Sequence, residues 1–355
     1  MAGRAAVGLD IGTSGVRAAE LTLGKGGATL ERFGQVALPP GAVRDGEVVD
    51  PDTVAGAIRQ LWSQAKFGSK RVAVGVANQK VVVRQVDLPW LPLDELRKSL
   101  PFQVADFVPM PLDQAILDFH PIEEVTNEQG GRMLRVLLVA AHKDMVWGAV
   151  NAVQKAGLEP VMVDLTSFAV LRSLAPASDV GLAGPAEALI DVGASVTNIV
   201  IHQGGVPRFV RVLLMGGGDV TDAVAERLGV PVEQAEAVKQ QMGMPAQAGS
   251  ALADHPAARV LETSGAAFVE EVRGSLDYYL ASPGASPLRR VVLSGGGSQL
   301  RGLAERLAAA TRLPVDLGSP MQALRIGRTG LSPEQLQFVQ PLVTVPVGLA
   351  MGAAA

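Results

Sequence analysis

Short apolar or alternating runs at Ala5–Asp10, Val16–Leu23 and Ala28–Leu38 are separated by two turn-forming stretches, Gly12-Thr13-Ser14-Gly15 and Gly24-Lys25-Gly26-Gly27. This pattern predicts a three-stranded β-meander. Asp50-Pro51-Asp52 reads as a helix start, with a capping carboxylate and proline at the first helical position. Val54, Ala57, Ile58, Leu61, Trp62 and Ala65 then recur at helical spacing as far as Gly68. Arg71–Ala77 and Lys80–Leu88 read as strands. The pattern changes at Pro89-Trp90-Leu91-Pro92, where a charged helical stretch, Asp94–Phe107, begins; Pro101 is expected to kink or split it. Two strands, Ala115–Ile122 and Met133–Ala140, flank a polar hairpin at Asn127–Gly131, and the helix Asp144–Ala156 closes at Gly157. Residues 89–160 therefore read as an inserted small α/β subdomain.

After a strand at Val161–Asp164, a helix at Thr166–Leu174 and a loop at 176–185, the opening pattern returns. Ala188-Leu189-Ile190-Asp191-Val192-Gly193-Ala194-Ser195 echoes Val7-Gly8-Leu9-Asp10-Ile11-Gly12-Thr13-Ser14, and strands at Asn198–His202 and Pro207–Leu213 follow. Asp10 and Asp191 lie 181 residues apart, about half the chain, which implies two related α/β domains. The expected boundaries are 1–88 plus 161–180 for the first domain and 181–355 for the second. Helices at Val220–Leu228, Pro231–Met242 and Ser264–Leu280 form a helical subdomain of the second at about 219–290. Its last elements are a strand at Leu288–Leu293, a helix at Leu300–Ala310 and a strand at Pro314–Leu317.

Composition narrows the function. The 355 residues are 48% hydrophobic and 19% charged with a net charge of −4, so the chain has material for a core and lacks the basic footprint of a nucleic-acid binder. The absence of cysteine removes disulfides, Cys-ligated zinc, iron–sulfur clusters and thiol catalysis together. No signal or spanning segment is visible, and Pro341–Ala355 is too short for a bilayer helix and has no Lys or Arg. A soluble, cytoplasmic protein is the expectation.

The candidate chemistry lies in the glycine turns. Gly12 and Gly15 let the backbone approach closely, so the N–H groups and hydroxyls of Thr13 and Ser14 can hold phosphate oxygens, as can Gly193, Ala194 and Ser195 in the second copy. Asp10 and Asp191 would repel phosphate directly and make sense with hydrated Mg²⁺ between, unless each merely caps its turn. Gly295, Gly296, Gly297 and Ser298 sit between a strand and a helix and leave room for a base or ribose; Gly216 and Gly217 could approach the phosphates or ribose from the other side. Glu236 and Lys239, three apart on one helix, are either ribose and base contacts or a surface ion pair. There is no G-x-x-x-x-G-K-[ST], no G-x-G-x-x-G after the first strand and no G-x-S-x-G elbow, and the four histidines show no metal spacing.

Val7–Ser14, Asp191–Thr197 and Leu293–Ser298 resemble the two phosphate motifs and the adenosine motif of the actin-like (ribonuclease H-like) ATPase fold. Within that superfamily the chain is most similar to the PilM family of type IV pilus assembly. Gly8–Arg17, Val104–Asp113 with Ile116–Phe119, Val163–Ala169 and Glu271–Tyr279 carry that similarity. The resemblance implies ATP and Mg²⁺ bound between two domain halves, with Glu236 and Lys239 on the ribose- and adenine-contacting helix. It also implies recruitment of the N-terminal cytoplasmic peptide of the membrane protein PilN into a groove between the first domain and the insert, at the inner face of the cytoplasmic membrane. Contact with the assembly motors is implied as well, and self-association is left open. Pro101 interrupts a helix usually continuous in the family. No Glu or Gln near Asp164–Ala169 positions water, so hydrolysis is expected to be slow at most, with nucleotide acting as a conformational ligand. An FtsA-like division protein and a sugar-kinase-type phosphotransferase are the alternative readings.

Overall fold

The computed structural model describes residues 4–175, 184–244 and 255–354. The expected meander forms as β1 (Arg4–Ile11), β2 (Gly15–Gly24) and β3 (Gly27–Ala37). A two-residue pair, β4 (Val43–Arg44) and β5 (Glu47–Val48), precedes α1 (Pro51–Ala65). Asp50 caps α1 by accepting from the backbone N–H groups of Asp52 and Thr53, each at 3.1 Å. The helix ends before Gly68, at Lys66, which takes a left-handed conformation. β6 (Arg71–Val76) and, later, β10 (Glu159–Leu165) complete the sheet, whose order is β10-β6-β1-β2-β3.

The insert is smaller than expected, and starts earlier. β7 (Val81–Pro89) pairs not with the first sheet but with β9 (Arg132–His142), which pairs with β8 (Ala115–Thr126). α2 (Leu93–Gln103) covers one face of this sheet through Leu96 and Leu100, which pack on Val86, Leu88, Phe119 and Val136. Pro101 falls in the last turn of α2, so it ends the helix at Gln103 rather than splitting it; a short 3₁₀ turn, Ala105–Phe107, follows. α3 (Lys143–Lys155) leaves the insert and packs Met145, Val146, Val150 and Val153 into the first domain's core with Ile58 and Leu61 of α1. The insert thus spans about residues 81–142.

α4 (Thr166–Leu174) ends the first half. The second repeats it: β11 (Ala186–Val192), β12 (Thr197–Gln203) and β13 (Val206–Leu213) form the meander, and β14 (Leu288–Ser294) and β15 (Val315–Leu317) extend it in the order β13-β12-β11-β14-β15. Strand for strand this is the order of the first sheet. α5 (Gly217–Leu228), α6 (Val232–Met242) and the first turns of α7 (Pro256–Leu280) pack around Val224, Ala235 and Leu261. α7 starts eight residues earlier than the apolar pattern predicts, with the His255 side chain accepting from the Ala257 N–H at 3.1 Å. The glycine turn after β14 is a 3₁₀ turn, Gly296–Gln299, and α8 (Leu303–Thr311) begins only after it. Most of the expected loop at 176–185 lies outside the described residues.

The chain then returns to the first lobe, which the expected boundaries did not provide for. β16 (Arg325–Ile326) adds to β3, α9 (Pro333–Val339) follows, and α10 (Thr344–Ala354) lies on the first sheet. Val347 and Ala350 pack on Ala6, Ala19 and Leu21, while Val345 and Leu349 pack on Ala73, Ala169 and Val170. That second cluster also takes in Leu189, Val200 and Val292 of the second sheet. α4 and α10 are therefore shared by both lobes, and the cleft opens beside them. Among the described residues no single helix is long and apolar enough to cross a membrane. α9 and the turn after it form with α10 an apolar pair that passes by length and composition alone, but it is bent by 77°, and α10 is largely buried in the shared core.

Candidate functional site

The two acidic turns are built alike. In the first, the Gly12 N–H donates to the Gly15 carbonyl at 3.0 Å; in the second, Gly193 donates to the Val196 carbonyl at 2.9 Å. Among the described residues no protein acceptor takes the N–H of Thr13, Ser14, Ala194 or Ser195. Antiparallel register sets a polar residue across from each acid: Asp10 faces Arg17, and Asp191 faces Asn198. Asp10, Gly12, Thr13, Ser14, Asp191, Gly193 and Ala194 line one cavity of about 630 Å³ between the lobes, within the size range of small-molecule sites. Gly217, Glu236, Lys239, Gly295, Gly296 and Gly297 line it too.

Three expected residues lie elsewhere. Ser298 is buried and donates its hydroxyl to the Gly295 carbonyl at 2.7 Å, closing the turn rather than facing the cavity. Ser195 is half-buried in its turn and does not line the cavity. Gly216 backs the second acidic turn, where an added Cβ would lie 2.4 Å from the Gly193 carbonyl oxygen. The amides at the start of α5 are taken up within the protein: Gly216 donates to Asp219 Oδ2 at 2.6 Å, Gly217 to the Gly193 carbonyl at 2.9 Å and Gly218 to the Ala194 carbonyl at 2.6 Å. They hold the acidic turn in place, so Gly216 and Gly217 offer no free amide to phosphate.

The carboxylates are electrostatically loaded. Burial pushes the Asp10 carboxyl above its usual value, against the pull of Arg17. Burial pushes Asp191 up to about 6, opposed by the Ser294 hydroxyl, which donates at 2.8 Å, and reinforced by the charge of Asp10. A buried and a half-buried carboxylate that feel each other, beside orphan amides, suit a hydrated divalent cation carrying phosphate oxygens. Among the described residues no group of three or more acidic or histidine side chains could hold a metal alone, so the remaining ligands would be water and phosphate.

Glu236 and Lys239 do share a face of α6, but Lys239 is buried and engaged. Its Nζ donates to the Gly217 carbonyl at 2.8 Å, to Thr221 Oγ1 at 2.7 Å and pairs with Glu236 at 2.7 Å. Burial works against ionisation of Glu236, yet donors from Lys239, Thr221 and Gln240 outweigh it and hold the carboxyl below its usual value. Lys239 therefore ties α6 to α5, and Glu236 is left as the polar group at the cavity wall. Arg17 also lines the cavity, a site residue that the glycine-turn pattern alone does not supply. Its Nη1 lies 3.7 Å from Asp10 Oδ2, and its Nε is buried without a partner. A four-residue turn places residue 17 opposite residue 10, so the hairpin pattern held the signal. Pro341 and Leu342 of the returning chain also line the cavity, and nothing local announced them. From α4 only Thr166 does so; the lining Glu and Gln side chains, Glu233, Glu236, Gln240 and Gln299, come from α6 and the turn after β14.

The family model described as type IV pilus assembly protein PilM matches residues 8–354. The chain belongs to the PilM family. Among solved structures, one described as a PilM-PilN type IV pilus biogenesis complex superposes with a TM-score of 0.86 at 28% identity, covering 99% of this chain and 98% of that one. MreB 5 of Spiroplasma citri bound to AMPPNP matches this PilM-family chain with a TM-score of 0.54 at 12% identity, over 98% of this chain and 95% of that one, and shows the actin-like fold. The cell division protein FtsA of Pseudomonas aeruginosa is 28% identical over 90% of this chain and 84% of its own length. FtsA of Bacillus subtilis is 27% identical over 67% of this chain, which spans 58% of that relative's length.

Proposed function

We propose that this PilM-family chain is a cytoplasmic ATP-binding scaffold of the type IV pilus inner-membrane assembly complex, which recruits the N-terminal cytoplasmic peptide of a PilN-like membrane protein. The observation that carries it is the pair of matched acidic turns lining one inter-lobe cavity, together with an insert. Asp10 and Asp191 would hold Mg²⁺ through its waters. The amides of Thr13, Ser14 and Ala194 and the Arg17 guanidinium would hold the triphosphate, and the Gly295–Gly297 turn with Glu236 the nucleoside. Mg²⁺ supplies charge neutralisation between carboxylates and phosphates.

Asp10 and Asp191 are committed to that charge balance and α4 offers no acidic or amide side chain, so any hydrolysis is slow and the nucleotide works by favouring the closed lobes. The peptide groove lies between the first lobe and the insert, and membrane association runs through the partner. Pilus motors are further partners. The solved PilM-PilN complex supports the peptide reading. The FtsA relatives keep a filament-forming division protein as the second reading. Calorimetric titration with Mg-ATP and with a PilN-type N-terminal peptide tests the proposal. Saturable binding of both is expected; absence of peptide binding with and without nucleotide removes the scaffold reading. Flotation of the purified chain with lipid vesicles, without any partner, would favour the FtsA-like one.

A further inference from the structure

A strand of the insert and a strand of the second lobe run past each other without joining. β7 is the outer edge of the insert's sheet and β13 the outer edge of the second sheet. Val81–Val83 and Val210–Met215 line a shared slot of about 610 Å³, and no backbone hydrogen bond links the two strands among the described residues.

Both strands are rooted at the nucleotide cavity. Gly46, at the tip of the β4–β5 hairpin, and Ala77, just before β7, line it. Gly46 has φ +80°, and an added Cβ would sit 1.9 Å from the Ala77 carbonyl oxygen and 3.5 Å from Val196 Cγ2 in the second acidic turn. The Asn78 amide donates to the Asp45 carbonyl and its Oδ1 accepts from the Lys80 N–H at 2.7 Å, while Lys80 Nζ pairs with Glu47 at 2.8 Å. The hairpin tip and the root of β7 are thus one braced unit. β13 runs in turn into Met215 and the Gly216–Gly218 segment that docks the second turn.

The far end is closed by charge. Arg135 on β9 lies across from Asp87 on β7 and from Glu123 on β8. It grips Asp87 at 2.8 and 2.9 Å and reaches Glu123 at 3.3 Å. Glu123 also accepts from Arg208 Nη1 of β13 at 3.3 Å, and the Arg208 Nε is buried without a partner. This ladder crosses the whole insert and ends on the second lobe.

We infer that the β7–β13 seam gauges the nucleotide state: lobe closure on a triphosphate narrows it, and the Glu123–Arg208 pair latches the insert to the second lobe so that the insert follows. The inference rests on the nucleotide reading above and adds to it the route by which the insert responds. An exposed ion pair is weak alone, but Arg135 already orients Glu123, so little further ordering is needed to engage Arg208.

The chain has no cysteine, so spin labels on Arg84→Cys and Arg211→Cys, both exposed positions, report the seam directly. Saturating Mg-ATP should shorten and narrow the distance distribution. Glu123→Gln and Arg208→Gln should each abolish that narrowing and raise amide exchange over residues 81–86 about fivefold. The double variant should go no further, and Arg208→Lys should behave as the parent. If calorimetry shows Mg-ATP bound while the parent's distribution stays put, or if the Gln variants respond as the parent does, the latch is refuted and the nucleotide reading stands. Absence of Mg-ATP binding in the unlabelled parent refutes the nucleotide reading itself, and the latch with it.

Discussion

At Asp191 burial, reinforced by the charge of the half-buried Asp10 and opposed by the Ser294 hydroxyl, pushes the folded-state carboxyl up to about 6. A carboxyl whose folded value exceeds its unfolded one costs nothing below the unfolded value near 3.8 and costs increasingly as pH rises towards 6. The full penalty, about 3 kcal/mol at 1.36 kcal/mol for each unit, persists above that. Asp191→Asn should therefore stabilise the ligand-free protein at pH 8 and leave it unchanged near pH 4, as thermal unfolding at the two pH values would read. The same variant should lose Mg²⁺-dependent nucleotide binding, and parent affinity should fall as pH drops through about 6. Arg17→Ala should weaken triphosphate binding more than diphosphate binding, measured by calorimetry, since its guanidinium stands beside Asp10 in the cavity. The acids were legible because each repeats with its glycine at half-chain spacing. The role of Gly216–Gly218 was not, because only the fold shows the Gly193 and Ala194 carbonyls waiting for their amides.

At the element scale, the meanders, α1 with its Asp50 cap and α4 followed from spacing and turn chemistry, which act over a few residues. β7 was misassigned because an apolar strand carries no mark of which sheet will claim it; its partner β9 lies about fifty residues on. The sequence excludes Pro341–Ala355 as a bilayer helix but carries no mark of the sheet that α10 covers. α10 has no polar face, as befits a helix sandwiched between α4 and a sheet, and its burial depends on residues hundreds of positions away. Leu349, fully buried, should cost about 2–5 kcal/mol as Leu349→Ala in denaturant unfolding. Gly348→Ala should be at least as severe: its Cβ would fall 1.8 Å from the Ala169 carbonyl oxygen of α4, forcing the two helices apart.

On the scale of the whole molecule, two sheets that match over five strands, the first carrying β16 as a sixth, share α4 and α10 and leave a cavity on one side. A ligand bridging both turns binds only the arrangement that brings them together, so its affinity appears as stability of the whole. At a hundredfold excess over its dissociation constant, Mg-ATP should add about 2.7 kcal/mol to unfolding. Calorimetric scanning should show a single transition moving upward, including for segments in the insert; two transitions with only one moving would mean that the lobes respond independently.

The strand at the centre of the first sheet, β1, is covered by a helix more than three hundred residues further along. A nascent chain emerging from the ribosome can pair β1 with β2 at once, but one side of that layer stays bare until residues 344–354 have been made. Such distant closure means high contact order and slow folding, with an apolar surface open to chaperones throughout synthesis.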